Sequence, residues 1–182
     1  MDLKQLLLSF WDYRSKNKLE LYNEFSFQHE LGIYLRKQLP DYKVQFERNV
    51  KYFYPDSKTI KHEIDIVVFN NEEKYAVELK FPRNGQHPEV MYCFAEDLAF
   101  MEEVKELGFN KTFVMTLVDD PLFYSGSKCT GIYSFFRSNK KITGPITKPT
   151  GKKDNSVVIK GNYMIEWKKL DGDERYYLIE ID

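Results

Sequence analysis

The 182-residue chain has little of several things that usually fix a function early. Its two cysteines, Cys93 and Cys129, lie far apart with no histidine or cysteine at zinc-ligand spacing. That excludes a disulfide framework and a structural zinc site, and it fits a reducing, cytoplasmic compartment. The three histidines, His29, His62 and His87, are isolated and form no spaced metal pair. No apolar run approaches the ~20 residues of a membrane span. The LLLSFW stretch near the N-terminus is also too short for a secretory leader, so no membrane partner is expected. Charge of one sign is not in excess either, since 27 Lys and Arg face 28 Asp and Glu for a net charge of -1. Attraction to nucleic acid must therefore come from a local patch. There is no internal repeat, P-loop, G-x-S-x-G or Rossmann fingerprint, which leaves nucleotide hydrolysis and serine-hydrolase chemistry without support.

What is present is a hydrophobic fraction of 42%, enough for one ordinary core in a single domain spanning residues 1–182. Leu3, Leu6, Leu7 and Phe10 follow a helical period, and a second helix is expected from about residue 21 to 38, stopped by Pro40. A weak strand over 42–50 follows, then turn chemistry at Pro55, Asp56 and Ser57. A long helix is expected over about 88–107, ended by Gly108, and KTFVMTLV (111–118) reads as a buried strand. GIYSFFRS (131–138) is ambiguous between helix and strand, whereas SVVIKGNYMIEWKKL and ERYYLIEID are strand-like. Arg137, Lys140, Lys141, Lys148, Lys152, Lys153 and Lys160 against Asp154 make 137–160 the one strongly basic stretch. It reads either as a solvated loop or as a flexible arm that neutralises phosphates.

Chemistry concentrates in HEIDIVVFNNEEKYAVELKFP, residues 62–82. Side chains alternate along strands, so Glu63, Asp65, Val67 and Phe69 share one side of the first strand and Ala76, Glu78 and Lys80 share one side of the second. A hairpin centred between Asn71 and Glu72 pairs residues whose numbers sum to 143, setting Asp65 opposite Glu78 and Glu63 opposite Lys80. Two opposed carboxylates among Ile, Val and Phe repel unless a cation lies between them. Their oxygen ligands suit Mg²⁺ or Mn²⁺, with Lys80 as an ammonium beside the ion, a set fit for phosphodiester hydrolysis. The alternative is a plain surface ladder containing one ion pair.

Asp65, a turn, then Glu78, Leu79 and Lys80 in a strand resemble the PD-(D/E)xK nuclease superfamily, with Ile64 standing where that motif carries proline. The resemblance covers about residues 21–118. It implies an α/β, restriction-endonuclease-like fold with an αβββαβ core and a mixed central sheet flanked by helices, to which the strand-like segments of about 122–182 add extra C-terminal strands. It also implies Asp65 and Glu78 as metal ligands, the Leu79 backbone carbonyl as a further ligand candidate, Lys80 as the catalytic lysine, and nucleic acid, foremost DNA, as the partner. Cutting both strands would bring two copies together as a homodimer. Members of the superfamily often add a glutamate from the first core helix, where Glu30 and Glu24 compete, Glu24 also fitting as a first-turn acid that complements the dipole. Asp97 falls inside the apolar arc of the long helix, so it needs a partner, either Lys80 or a local hydrogen bond.

Overall fold

A computed structural model describes residues 1–151 and 155–182. Helix α1 (Leu3–Asn17) is followed by α2 (Glu24–Gln38), β1 (Lys43–Asn49), β2 (Glu63–Phe69), β3 (Lys74–Lys80), α3 (His87–Glu106) and β4 (Lys111–Val118). The short helix α4 (Tyr133–Arg137), β5 (Ile142–Thr147), β6 (Ser156–Tyr163), β7 (Lys168–Lys169) and β8 (Arg175–Ile181) complete the chain. The second helix starts three residues later than expected because Asn23 and Ser26 form a reciprocal capping box: the Asn23 side chain accepts from Ser26 N (2.7 Å), and Ser26 Oγ accepts from Asn23 N (3.1 Å). The cap thereby puts Glu24 at the first helical position.

Six strands form one mixed sheet in the order β1-β2-β3-β4-β8-β7, so the chain is α/β. The neighbours are antiparallel except β3 and β4, which run parallel and are joined across α3. Such a parallel pair needs a long crossover, and the 20-residue α3 supplies it. Helices α1 and α2 cover one face of the sheet, burying Phe10, Phe27, Leu31 and Leu35 against Ile66, Val68, Val77 and Met115. Helix α3 covers the other face, where Phe94, Leu98 and Met101 meet Val67, Ala76, Val114 and Tyr177.

Two expectations for the C-terminal third change. The basic stretch is only in part a loop, because β5 and β6 form an antiparallel hairpin within it while 138–141 and 148–151 lie outside the strands. Its alternation of apolar Ile142, Ile146 and Ile159 with polar residues docks that hairpin onto α3, with Glu102 accepting hydrogen bonds from Lys160 N (2.9 Å), Gly161 N (2.7 Å) and the Tyr163 hydroxyl (3.0 Å). GIYSFFRS resolves as a short helix, and β8 enters the central sheet beside β4.

Candidate active site

The hairpin register is the expected one. Ile66 faces Val77, Val67 faces Ala76, Val68 faces Tyr75 and Phe69 faces Lys74, each pair summing to 143. The ladder stops there, one residue short of Asp65 and Glu78. In place of continued strand pairing, Asp65 Oδ2 accepts the backbone N–H of Leu79 at 2.7 Å. Asp65 and Glu78 still share the face covered by α3, close enough for the Asp65 charge to raise the pKa of Glu78. Glu63 does not reach Lys80; it is exposed and pairs across the sheet with Asn49.

Lys80 turns from the end of β3 toward α2, where its Nζ donates to Glu24 Oε1 at 3.0 Å. The other oxygen of Glu24 accepts the N–H of Phe81 at 2.9 Å. The helix acid at this site is therefore Glu24. Glu30 lies about 240° further round the helix at 100° per residue. Its carboxylate stands 3.8 Å from His29 Nδ1, away from the cleft. The apolar neighbours Phe27 and Tyr34 suggested an inward Glu30, but it is Glu24, in the first turn of α2, that reaches Lys80 and Phe81 at the end of β3.

Asp97 is buried, 1% exposed, on the face of α3 toward the sheet. Its hydrogen-bonded partner is Lys61 and not Lys80: Lys61 Nζ donates to Asp97 Oδ1 (2.5 Å) and to Glu78 Oε1. Burial lowers the pKa of the Lys61 ammonium, but the Asp97 and Glu78 carboxylates outweigh it and the net shift is upward. Lys80 is likewise shifted up against its own burial, by Asp97 and Glu24. Burial pushes the Asp65 carboxyl up to about 7, with the Leu79 N–H and the Lys80 charge pulling the other way. Glu78, only 2% exposed, is held well above the ordinary carboxylate range by burial and then by the charges of Asp65 and Asp97. Asp97 is raised by burial in spite of both lysines. Glu78 Oε2 and Asp97 Oδ2 are buried without a hydrogen-bond partner.

Three residues of this site escaped the reading of the sequence. Lys61 comes from the irregular segment before β2, where no periodicity assigns a direction to a side chain. Gln28, buried on α2, donates its amide to the backbone carbonyl of Asp65 (2.9 Å) and to Glu47 Oε1 (2.5 Å). A glutamine one turn after Glu24 on the buried helix face was the signal available for it. Glu47 stands across from Asp65 between the pairs Phe46–Ile66 and Arg48–Ile64, and its φ of 47° is left-handed. A non-glycine residue in that region costs of order 1 kcal/mol, and such strain gathers at functional sites.

An open cleft of about 510 Å³ lies over this face, lined by Glu47, Asn49, Lys61, Asp65, Glu78 and Lys80 among others. No protein-family model, curated protein or solved structure matches the chain. Among the described residues no three acidic, histidine or cysteine side chains already stand as a ready metal-ligand set. The donors nevertheless suit a hard divalent ion. Asp65 and Glu78 offer only oxygen, and one Glu78 oxygen is buried and unpartnered.

The basic residues are largely committed elsewhere. Lys148 pairs with Glu89 and Lys160 with Glu106, both on α3. The Arg137 guanidinium donates to the carbonyls of Leu122 and Lys128, Lys140 sits 4.6 Å from the Phe135 ring centre, and Lys141 is exposed. Lys152 and Lys153 lie outside the described residues. No described helix is long and apolar enough to cross a membrane.

Proposed function

We propose that the protein is a divalent-metal-dependent nuclease that hydrolyses phosphodiester bonds, foremost in DNA, on a restriction-endonuclease-like core. The observation that carries this reading is Glu78, a carboxylate 2% exposed beside Asp65 with one oxygen unpartnered. A charge so placed calls for a cation. Asp65 and Glu78 would hold Mg²⁺ or Mn²⁺, with the Leu79 carbonyl as a further donor. Bound there, the ion supplies Lewis acidity toward a phosphate oxygen and acidifies a bound water.

The rest of the chemistry belongs to the chain. Asp97 and Glu24 keep the Lys80 ammonium charged, and Glu24 fixes it at the strand end, where it offsets negative charge building on a phosphate in the transition state. Gln28 ties β1 to β2 through Glu47 and the Asp65 carbonyl, which holds the cleft wall in place. The open cleft admits a backbone phosphate from solvent. Cleavage of both strands of a duplex would require two copies, so a homodimer accompanies this reading.

The test uses labelled single- and double-stranded DNA and RNA with Mg²⁺, Mn²⁺ or chelator, beside Lys80→Ala. Cleavage that requires metal and falls by about 100-fold or more in the variant is the expected result, the scale of losing one electrostatic stabiliser. No cleavage of any substrate with either ion, or a variant as fast as the wild type, overturns it.

A second reading, a nuclease-fold module that binds nucleic acid or protein without turnover, is favoured by Lys61. Its ammonium already lies between Glu78 and Asp97 and neutralises part of the charge that would recruit a metal. Nucleic-acid binding that persists in chelator without cleavage in Mg²⁺ or Mn²⁺ would select it.

A further inference from the structure

Lys61 is the one cation of the cluster that comes from neither the sheet nor a helix. The segment carrying it is pinned on both sides: Ile60 N donates to Glu103 Oε2 at 2.8 Å, and the His62 carbonyl accepts from Val50 N at 2.8 Å. The ammonium bridges Glu78 and Asp97 and lies 5.8 Å from the centre of the Phe100 ring. Both carboxylates keep a second, buried oxygen with no partner, so the lysine satisfies only half of each. Four carboxylates, Glu24, Asp65, Glu78 and Asp97, interact here with two ammonium groups, Lys61 and Lys80. Fully ionised, they leave two negative charges uncompensated. Glu47 and Glu63 stand on the exposed rim, where water screens them, and the half-buried Glu96, which also feels Asp97 and Lys61, is offset by Lys148.

We propose that Lys61 is a built-in cation that occupies the Glu78–Asp97 side of the centre, limiting it to one divalent ion beside Asp65 and tuning the affinity for that ion. This rests on the metal-site reading above. One divalent charge makes up the deficit of two. Replacing Lys61 by a neutral residue raises the deficit to three, which strengthens cation binding. Neutralising Asp97 as well returns it to two.

The experiment measures Mn²⁺ affinity and stoichiometry by calorimetry on the full chain, with thermal melting in parallel, for the wild type, Lys61→Met, Lys61→Met/Asp97→Asn and Asp65→Ala. Lys61→Met should bind Mn²⁺ about tenfold tighter or take up a second ion, as a unit charge removed at hydrogen-bond distance shifts an equilibrium by at least that factor. Its metal-free form should melt lower, because Asp97 is left buried and unpaired, and Mn²⁺ should restore it. The double variant, which has no stranded charge, should fold and bind within about threefold of the wild type at one ion per chain, the size of ordinary context effects between neighbours. It keeps the test informative if Lys61→Met alone does not fold. Unchanged or weaker binding in Lys61→Met overturns the proposal even where the wild type binds and Asp65→Ala does not; if Lys61→Met does not fold, binding by the double variant that departs from the wild type by more than about threefold overturns it. In that case the metal-site reading stands. No Mn²⁺ binding by any variant removes both, whereas binding by Lys61→Met alone supports the built-in cation and selects the non-catalytic reading.

Discussion

Asp65 is the residue at which local chemistry and stability are most directly coupled. Its carboxyl is raised from an ordinary 3.8 to about 7. The folded chain therefore holds that proton when the unfolded chain has released it, and between about pH 4 and pH 7 the native state binds more protons than the unfolded one. This group's contribution to stability accordingly falls as pH rises through that window and stays lost above it. Asn at this position keeps an oxygen to accept the Leu79 N–H but carries no charge. Metal-free Asp65→Asn should melt above the wild type at pH 8, by roughly 2–4 °C for each kcal/mol recovered. The gap should close by about pH 3, below the pKa of Asp65 in both the folded and the unfolded chain. Melting curves at the two pH values check this, and a difference independent of pH would contradict the cause given. The register of the hairpin and the common face of Asp65 and Glu78 were legible in the sequence from strand periodicity and an even loop, but their direct pairing was not met, since the ladder ends at Ile66–Val77 and Asp65 takes the Leu79 N–H instead. The partners of Lys80 and Asp97 were not legible, because each is supplied by an element distant in the chain: Glu24 lies 56 residues from Lys80 and Lys61 lies 36 from Asp97.

At the scale of elements, the β5–β6 hairpin shows how a charge-rich stretch becomes ordered. Its composition of Lys, Gly and Pro reads as a loop, yet Glu102 from α3 accepts two backbone N–H groups of β6 and the Tyr163 hydroxyl. That anchor is a glutamate 5% exposed, within an otherwise apolar helix face. Glu102→Ala should lower stability by about 1.5–3 kcal/mol, the range for hydrogen bonds to a charged acceptor. Amide exchange should rise in residues 156–163 while β2 and β3 stay protected. Equal loss of protection in the central sheet would show that the hairpin and the sheet open as one unit. The capping box at the start of α2 was written in Asn23 and Ser26, but which acid it would place over β3 depended on where the helix lands.

For the whole molecule, residues 21–118 contain the expected α-β-β-β-α-β order, but their sheet is completed by the far end of the chain. Strand β8 pairs with β4 over seven residues and buries Tyr176, Tyr177, Ile179 and Ile181. It also meets α1, where Trp11 and Tyr176 lie 4.7 Å apart and Arg14 pairs with Glu174 at 2.6 Å. Burying each such apolar side chain contributes about 1.5–3 kcal/mol, and four together rival the 5–15 kcal/mol that holds a typical domain folded. A chain ending at residue 170 should lose cooperative melting and aggregate through the exposed edge of β4. A soluble fragment with a sharp thermal transition and intact near-ultraviolet circular dichroism would contradict this.

The α/β class, the hairpin register and the common side of Asp65, Glu78 and Lys80 are encoded in the local pattern of residues. These follow from periodicities and turn lengths that act over a few residues. Tertiary structure alone decided that Glu24 holds Lys80, that Lys61 bridges Glu78 and Asp97, that Gln28 ties Glu47 to Asp65, and that β8 closes the sheet. Each of these joins residues far apart in the chain, and buried charges accept whichever counter-charge the packed elements bring within hydrogen-bond reach.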